Sequence, residues 1–178
     1  MKQLFILLLL ISSLFADAKI YMGVGASIHH EHLSTNGDDT ISPMMSVKAG
    51  YGDRKAYAVE FSLDYVDTAD TTFLIDGGPR YGFNVSLLKA FDFDIFFIPL
   101  LRVGFGSGAV SSTAKADQDS LSYGSFNLGF GAFIPFGEHF DIEVGYDYRS
   151  TTYEKTVAAG NIEEANINVA YVGCNFRY

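Results

Sequence analysis

The sequence contains no tryptophan, a single cysteine and only four prolines. A lone Cys174 rules out an internal disulfide, so this is not a small scaffold held by cross-links. Basic residues are scarce too: 12 Lys and Arg stand against 21 Asp and Glu, a net charge of −9. Nucleic acid is therefore a poor partner, because phosphate attraction requires a cationic surplus. Past the first residues there is no apolar run of helix length. Any membrane crossing must then be made by strands closed on one another, the other structure that satisfies its backbone in lipid.

The one apolar run, Leu4 to Leu14, follows Lys2 and is broken only by Ser12 and Ser13; Ala16-Asp17-Ala18 comes next. A positive start, a short apolar stretch and an A-x-A site read as a secretory signal peptide over residues 1–18, cleaved near Ala18. No cysteine follows it, so no lipid attachment is expected. Residues 19–178 are left as one exported domain.

That domain alternates. Successive side chains of a strand leave on opposite faces, and segment after segment sets apolar residues against polar or small ones. Ile20, Met22, Val24, Ala26 and Ile28 oppose Tyr21, Gly23, Gly25, Ser27 and His29. Met45, Val47, Ala49 and Tyr51 oppose Met44, Ser46, Lys48 and Gly50. Tyr57, Val59, Phe61, Leu63 and Tyr65 oppose Ala58, Glu60, Ser62 and Asp64. Tyr81, Phe83, Val85 and Leu87 oppose Arg80, Gly82, Asn84 and Ser86. A fifth strand over Phe93 to Gly106 is expected to turn Phe96, Ile98, Leu100 and Arg102 inward, with a local bulge at Pro99. The sixth opposes Phe126, Leu128, Phe130, Ala132 and Ile134 to Asn127, Gly129, Gly131 and Phe133. The seventh sets Ile142, Val144, Tyr146 and Tyr148 against Asp141, Glu143, Gly145, Asp147 and Arg149. In the last, Val172, Cys174, Phe176 and Tyr178 oppose Gly173, Asn175 and Arg177. Ile167, Val169 and Tyr171 have the opposite parity there, so a bulge is expected near Tyr171.

The connections alternate between long (Leu33 to Ser42, Asp67 to Gly78, Ser107 to Ser120, Thr152 to Glu163) and short (Asp53 to Lys55, Lys89 to Asp92, Gly137 to His139). Period, strand length and loop rhythm define an eight-stranded antiparallel up-and-down transmembrane β-barrel with short periplasmic turns and four longer extracellular loops. A soluble barrel would turn its apolar face inward. The polar face here mixes both signs of charge with many glycines, which suits a narrow, compensated interior where glycine makes room for long charged side chains.

Tyr171-x-Gly173-x-x-Phe176-x-Tyr178 resembles the C-terminal assembly signal of bacterial outer-membrane barrels, which ends in an aromatic residue. Tyr21-x-Gly23-x-Gly25, Pro99-x-x-x-x-Gly104-x-Gly106, Gly129-x-Gly131 and the arm Phe140 to Arg149 are similar to the small OmpA/OmpX-type outer-membrane barrels of the porin-like family. This resemblance implies residence in the outer membrane as a monomer, contact with outer-membrane lipids and lipopolysaccharide, and delivery by the barrel-assembly machinery. Its members serve as envelope-stabilising proteins, adhesins, narrow channels and, in a few branches, lipid-modifying enzymes. No cofactor is implied.

The candidate site is the set of charges on the inward face: Lys48, Glu60, Asp64, Arg80, Arg102, Glu143, Arg149 and Arg177. A turn centred on Arg54 places Lys48 opposite Glu60, and similar counting brings Arg80 near Arg102. The set is either static filling or the filter of a narrow channel; eight strands leave an interior just wide enough for side chains, which favours filling. Phe96, Ile98, Leu100 and Phe133 are expected to form an apolar inward patch near the turn end.

His29-His30-Glu31-His32 looks like a metal cluster, but a strand sends His29 and Glu31 one way and His30 and His32 the other. Resemblance to lipid A deacylases on this fold, which pair His-x-Ser with a Glu, draws attention to His32-Leu33-Ser34. That pair lies early in the chain, and no carboxylate is evident on its face. A nucleophile and base without an orienting partner form an incomplete site, so the chain reads as a non-enzyme. Gly104 to Gly108 is glycine-rich without the spacing of a phosphate loop. The loops are acidic (Asp38, Asp39, Asp67, Asp70, Asp76, Asp117, Asp119, Glu154, Glu163 and Glu164 against Lys115 and Lys155) and are candidates for cation-bridged contacts with lipopolysaccharide or a partner.

Overall fold

The computed structural model describes residues 18–34, 39–69, 77–112, 120–154 and 164–178. They form eight antiparallel strands: β1 (Lys19–Leu33), β2 (Asp39–Gly52), β3 (Tyr57–Ala69), β4 (Gly77–Ala90), β5 (Ile98–Ser112), β6 (Ser120–Phe136), β7 (Phe140–Tyr153) and β8 (Glu164–Arg177). Each pairs with its neighbour in sequence and β8 returns to β1, which closes the barrel. Closure removes the unpaired edges that an open sheet would present to lipid. The segment read as a signal peptide lies outside the described residues.

Apolar side chains cover the outside. Val24, Met45, Leu63, Phe105, Leu128 and Phe130 are each more than half exposed, whereas Lys48, Glu60, Arg102 and Glu143 are 7% exposed or less. Water would penalise such an arrangement; lipid on the outside reverses the sign. The outward apolar stretch of β1, Ile20 to Ile28, spans about nine residues at ~3.3 Å each, or roughly 23 Å after a ~40° tilt, which matches the hydrocarbon band of an outer-membrane barrel. The whole of β1, 15 residues, rises well above that band.

Several expectations need correction. The second tight connection is longer than Lys89 to Asp92: β4 ends at Ala90 and β5 begins at Ile98. Phe96 therefore sits on this turn, 78% exposed, and does not face the lumen. Asp94 adopts a left-handed conformation (φ 58°) within it, and its N–H donates to the Asp92 carboxylate at 3.1 Å. Pro99 causes no bulge. It is the second residue of β5, pairs with Ala132 in unbroken register, and turns its carbonyl to the Phe91 N–H of the turn (2.9 Å). The ladder is irregular around Gly78 and Pro79 instead, where both β3–β4 and β4–β5 shift register.

Nor is there a bulge at Tyr171. The β8 ladder with β1 runs unbroken from Leu33↔Ala165 to Tyr21↔Arg177, so the upper half keeps its parity and inverts its polarity. Ala165, Ile167 and Val169 point inward, at most 1% exposed, while Asn166 and Asn168 point outward. Above the lipid the outside is wet and the inside can be a conventional core. Leu33, Met44, Val66, Val110, Leu121 and Ile167 form that core. A second apolar cluster closes the turn end, built from Tyr21, Ala58, Leu88, Ala90, Ile98, Leu100 and Phe133.

Candidate functional site

The charges lie between the two apolar clusters. Glu143, on β7, is fully buried and is the hub. It accepts hydrogen bonds from the Lys48 ammonium, Arg102 Nη2 (2.6 Å), Tyr171 OH (3.1 Å) and Asn175 Nδ2 (2.8 Å). Arg102 also reaches Glu60 (3.0 Å) and Asp147 (3.2 Å). Arg149 donates to Asp64 (2.7 Å), which also accepts from Asn84 (2.9 Å). Toward the loop end, Arg80 binds Glu31 (3.2 Å) and Tyr153 OH (2.9 Å) and stacks 4.2 Å over the Tyr123 ring. Toward the turn end, Arg177 pairs with Asp141 and is held between the rings of Tyr21 (4.6 Å) and Phe133 (5.1 Å). Arg54 reaches up from its turn to the same Asp141 (3.1 Å).

These pairings balance. Lys48, Arg54, Arg80, Arg102, Arg149 and Arg177 face Glu31, Glu60, Asp64, Asp141, Glu143 and Asp147. A buried charge without a partner is costly, and here each has at least one. The net charge of the protein is therefore carried elsewhere. Ten carboxylates and two lysines lie in or beside the loops, a surplus of eight negative charges at that end. Of the acidic loop residues, Asp39, Asp67, Glu154 and Glu164 lie within the described residues; Asp38, Asp70, Asp76, Asp117, Asp119 and Glu163 lie outside them, as do Lys115 and Lys155.

All eight residues of the anticipated interior set point inward, but two anticipated pairings differ. The β2–β3 register places Gly50 opposite Glu60 and Ser62 opposite Lys48, which centres the turn on Lys55 rather than Arg54 and shifts each partner by two residues. Lys48 meets Glu60 only diagonally, at 3.6 Å, and its main partner is Glu143 across the lumen. Arg80 pairs with Val110 and Arg102 with Leu88, so the two arginines sit in different layers. Glu31, Asp141, Asp147 and Tyr153 complete the network from outside the anticipated set. Parity alone marks Glu31 and Asp141 as inward; nothing in the sequence announces that Tyr153 caps Glu31.

The interior glycines accommodate tyrosine rings as much as charges. A Cβ on Gly50 would lie 2.3 Å from the Tyr21 ring, and one on Gly145 would lie 2.4 Å from the Tyr171 hydroxyl. The lumen cavity, lined by Lys48, Glu60, Asp64, Arg102 and Arg149 among others, measures about 40 Å³. That is room for about two or three waters.

Of the C-terminal quartet, Phe176 and Tyr178 face outward and pack edge to face at 5.0 Å, within a ring of aromatics at the turn end that includes Phe136 and Phe140. Tyr171 faces the lumen, and Gly173 lets β8 approach β1, where a Cβ would meet the Val24 carbonyl at 2.9 Å. At the periplasmic turns Lys55 and Asp92 form an exposed pair at 2.7 Å. The hydrogen bond from Lys55 holds the Asp92 carboxyl below its ordinary range, and Asp92 raises Lys55 in return.

At the loop end, His29 and Glu31 face inward and His30 and His32 outward, as alternation requires, and the described residues hold no cluster suited to a metal ion. One expectation about this region changes: a carboxylate does share the outer face. Asp39, across on β2, lies 2.8 Å from His32 Nδ1 and 3.3 Å from His30 Nε2. Ser34 is exposed just past β1, and its N–H donates to the Glu164 carbonyl at 3.0 Å.

A closed wall with lipid outside and compensated charge inside defines an integral barrel of the outer-membrane type. The comparisons agree. The chain belongs to the outer membrane protein beta-barrel domain family, whose model matches residues 4–176, and it resides in the outer membrane. Its fold is similar to that of Neisserial surface protein A (TM-score 0.69, 14% identity, 90% of this chain and 99% of that one). It is also similar to Ail of Yersinia pestis in complex with the heparin analogue sucrose octasulfate (0.61, 17%, 90% and 99%) and to OprG of Pseudomonas aeruginosa (0.52, 13%, 90% and 95%). At these identities the likeness is one of fold. No curated protein sequence matches the chain.

Proposed function

We propose that this protein is a non-conducting monomeric barrel that contributes to envelope integrity and acts through its outer surface, in contact with outer-membrane lipids and lipopolysaccharide. The observation that carries this reading is the layered lumen: an apolar cluster at each end, a paired charge layer between them, and a cavity of about 40 Å³. An ion crossing it would have to shed its water and separate buried ion pairs. The alternative, a narrow channel for ions or small solutes gated by the Lys48, Glu60, Arg80 and Arg102 cluster, requires those paired charges to part. Single-channel recording from the purified protein in planar bilayers tests both, with Glu60→Ala and Arg102→Ala alongside. Silent bilayers containing folded protein are expected; discrete steps whose size changes in the variants would overturn the proposal.

The surface role is also read as non-catalytic: Asp39 orients His32, but among the described residues no hydrogen bond joins Ser34 to that imidazole, so no nucleophile is engaged; unchanged lipid A after overexpression is the expected result. The polysulfated ligand present in the Ail structure is not carried over to this chain, whose net charge of −9 disfavours a polyanion.

A further inference from the structure

The outer wall is not uniform just above the lipid band. On β7, β8 and β1 the last outward apolar residues are followed at once by side chains with hydrogen-bonding heads, and the register sets them side by side: Tyr148 opposite Asn168, Asn168 opposite His30, and Asn166 opposite His32. β2 extends the patch, since His32 faces Asp39. The heads are already ordered. Tyr148 OH donates to Asn166 Oδ1 (2.5 Å) and Tyr146 OH to Asn168 Oδ1 (2.6 Å), which leaves each amide NH₂ to donate outward. Asp39 holds both imidazoles. On β6, which neighbours β7, and on β5 beyond it, the outward positions toward the loop end carry Ser107, Ala109, Ser122 and Gly124.

We infer that this sector of β7, β8, β1 and β2 is a docking site for the sugar headgroup of an outer-leaflet glycolipid. The occupant must itself sit at the edge of the hydrocarbon band, which selects a lipid headgroup over a soluble ligand. Amide, carboxylate, imidazole and phenol groups beside exposed tyrosine rings suit sugar hydroxyls and the apolar faces of a pyranose. The acidic loop end above works against a site that depends on phosphate, so recognition is of the sugar. The inversion of β8 serves it: Ile167 and Val169 turn inward to fill the upper core, and Asn166 and Asn168 are thereby turned outward. This site names a lipid partner for the surface role proposed above and rests on that reading only in taking a membrane glycolipid as the partner.

The test titrates purified rough lipopolysaccharide into the detergent-solubilised protein and follows tyrosine fluorescence. Asn166→Ala/Asn168→Ala is expected to weaken binding at least tenfold, and Tyr148→Phe, which removes one hydroxyl, several-fold. Ser107→Ala/Ser122→Ala, on β5 and β6 outside the patch, should leave it within twofold. Enzymatically dephosphorylated lipopolysaccharide should bind as well as the parent, and EDTA should not matter. Equal affinity of the folded β8 variant and wild type would overturn the site. Loss of binding on dephosphorylation or with EDTA would replace it with phosphate or cation-bridged contact. Conductance of the same sample is read separately: currents would sink the closed-barrel reading and leave this site standing.

Discussion

Replacing Glu143 by glutamine should cost clearly more than the same neutralisation at Glu60. The substitution keeps the shape and removes the charge. Lys48 is then left with Glu60 at 3.6 Å as its one carboxylate, while Arg102 keeps Glu60 and Asp147. Breaking a buried pair by removing one partner costs about 3–5 kcal/mol. The remaining contact to Glu60 argues for the lower end, about 3 kcal/mol, which is more than a hundredfold in the folding equilibrium. Glu60→Gln is the internal control. Lys48 keeps Glu143, Arg102 keeps two carboxylates and Tyr21 keeps an acceptor, so about 1 kcal/mol is expected. Adding Lys48→Met to Glu143→Gln removes the stranded ammonium and should recover at least about 1 kcal/mol as non-additivity. Urea unfolding in lipid vesicles, followed by the mobility difference between folded and heated protein on gels, measures all three. Equal and small effects of Glu143→Gln and Glu60→Gln would mean that water screens the lumen throughout. The interior would then not be closed to water.

Gly50→Ala should prevent or greatly slow folding into detergent, because its Cβ would strike the buried Tyr21 ring; Gly50→Ala with Tyr21→Ala should fold again, at reduced stability. The Lys55–Asp92 link should contribute a small stabilisation that is constant near neutrality. With the Asp92 pKa lowered, that part is present above about pH 4 and lost as pH falls through the bound value; with Lys55 raised, it is lost again only as pH rises beyond the ordinary lysine range. The melting difference between wild type and Asp92→Asn should thus close in acid, and a difference that grows there would refute the link. Phe176→Ala/Tyr178→Ala, as a test of the proposed assembly signal, should lower the amount of folded protein in the outer membrane while leaving refolding in detergent nearly unchanged; equal losses in both would make the pair structural only.

Which residues face inward was legible in the sequence, and what each one touches was not. Parity has only two outcomes, and the lipid outside makes a wrong parity very costly, so within the lipid band alternation reports it. Partners depend on register, which is set by turn geometry rather than by pattern. A slip of two residues preserves every face while exchanging every neighbour, and this is why Glu60 lies across from Gly50 and not from Lys48. The same logic explains β8. Apolar side chains of the opposite parity suggest a bulge only if the apolar face always meets lipid, and above the band the inside is the drier side. Pro99 misled for a related reason: strand ends carry no mark in an alternating sequence, and a proline at a strand's second residue looks like one at its middle.

The middle layer holds a further clue to whether it could act as a gate. Glu60, Asp64, Glu143 and Asp147 outnumber Lys48, Arg102 and Arg149 there, and balance across the lumen is reached only by counting the outer layers. Arg102 is shared among three carboxylates, and Lys48 between two. Sharing of this kind tolerates the loss of peripheral partners but offers no second arrangement of comparable energy, because the cations have no unoccupied carboxylate to move to. A gate requires two such arrangements. The Nε groups of Arg102 and Arg149 lack a protein partner and lie beside the cavity, where a few waters can satisfy them. Those waters would complete a fixed network, which supports the proposed closed barrel acting through its outer wall and loops.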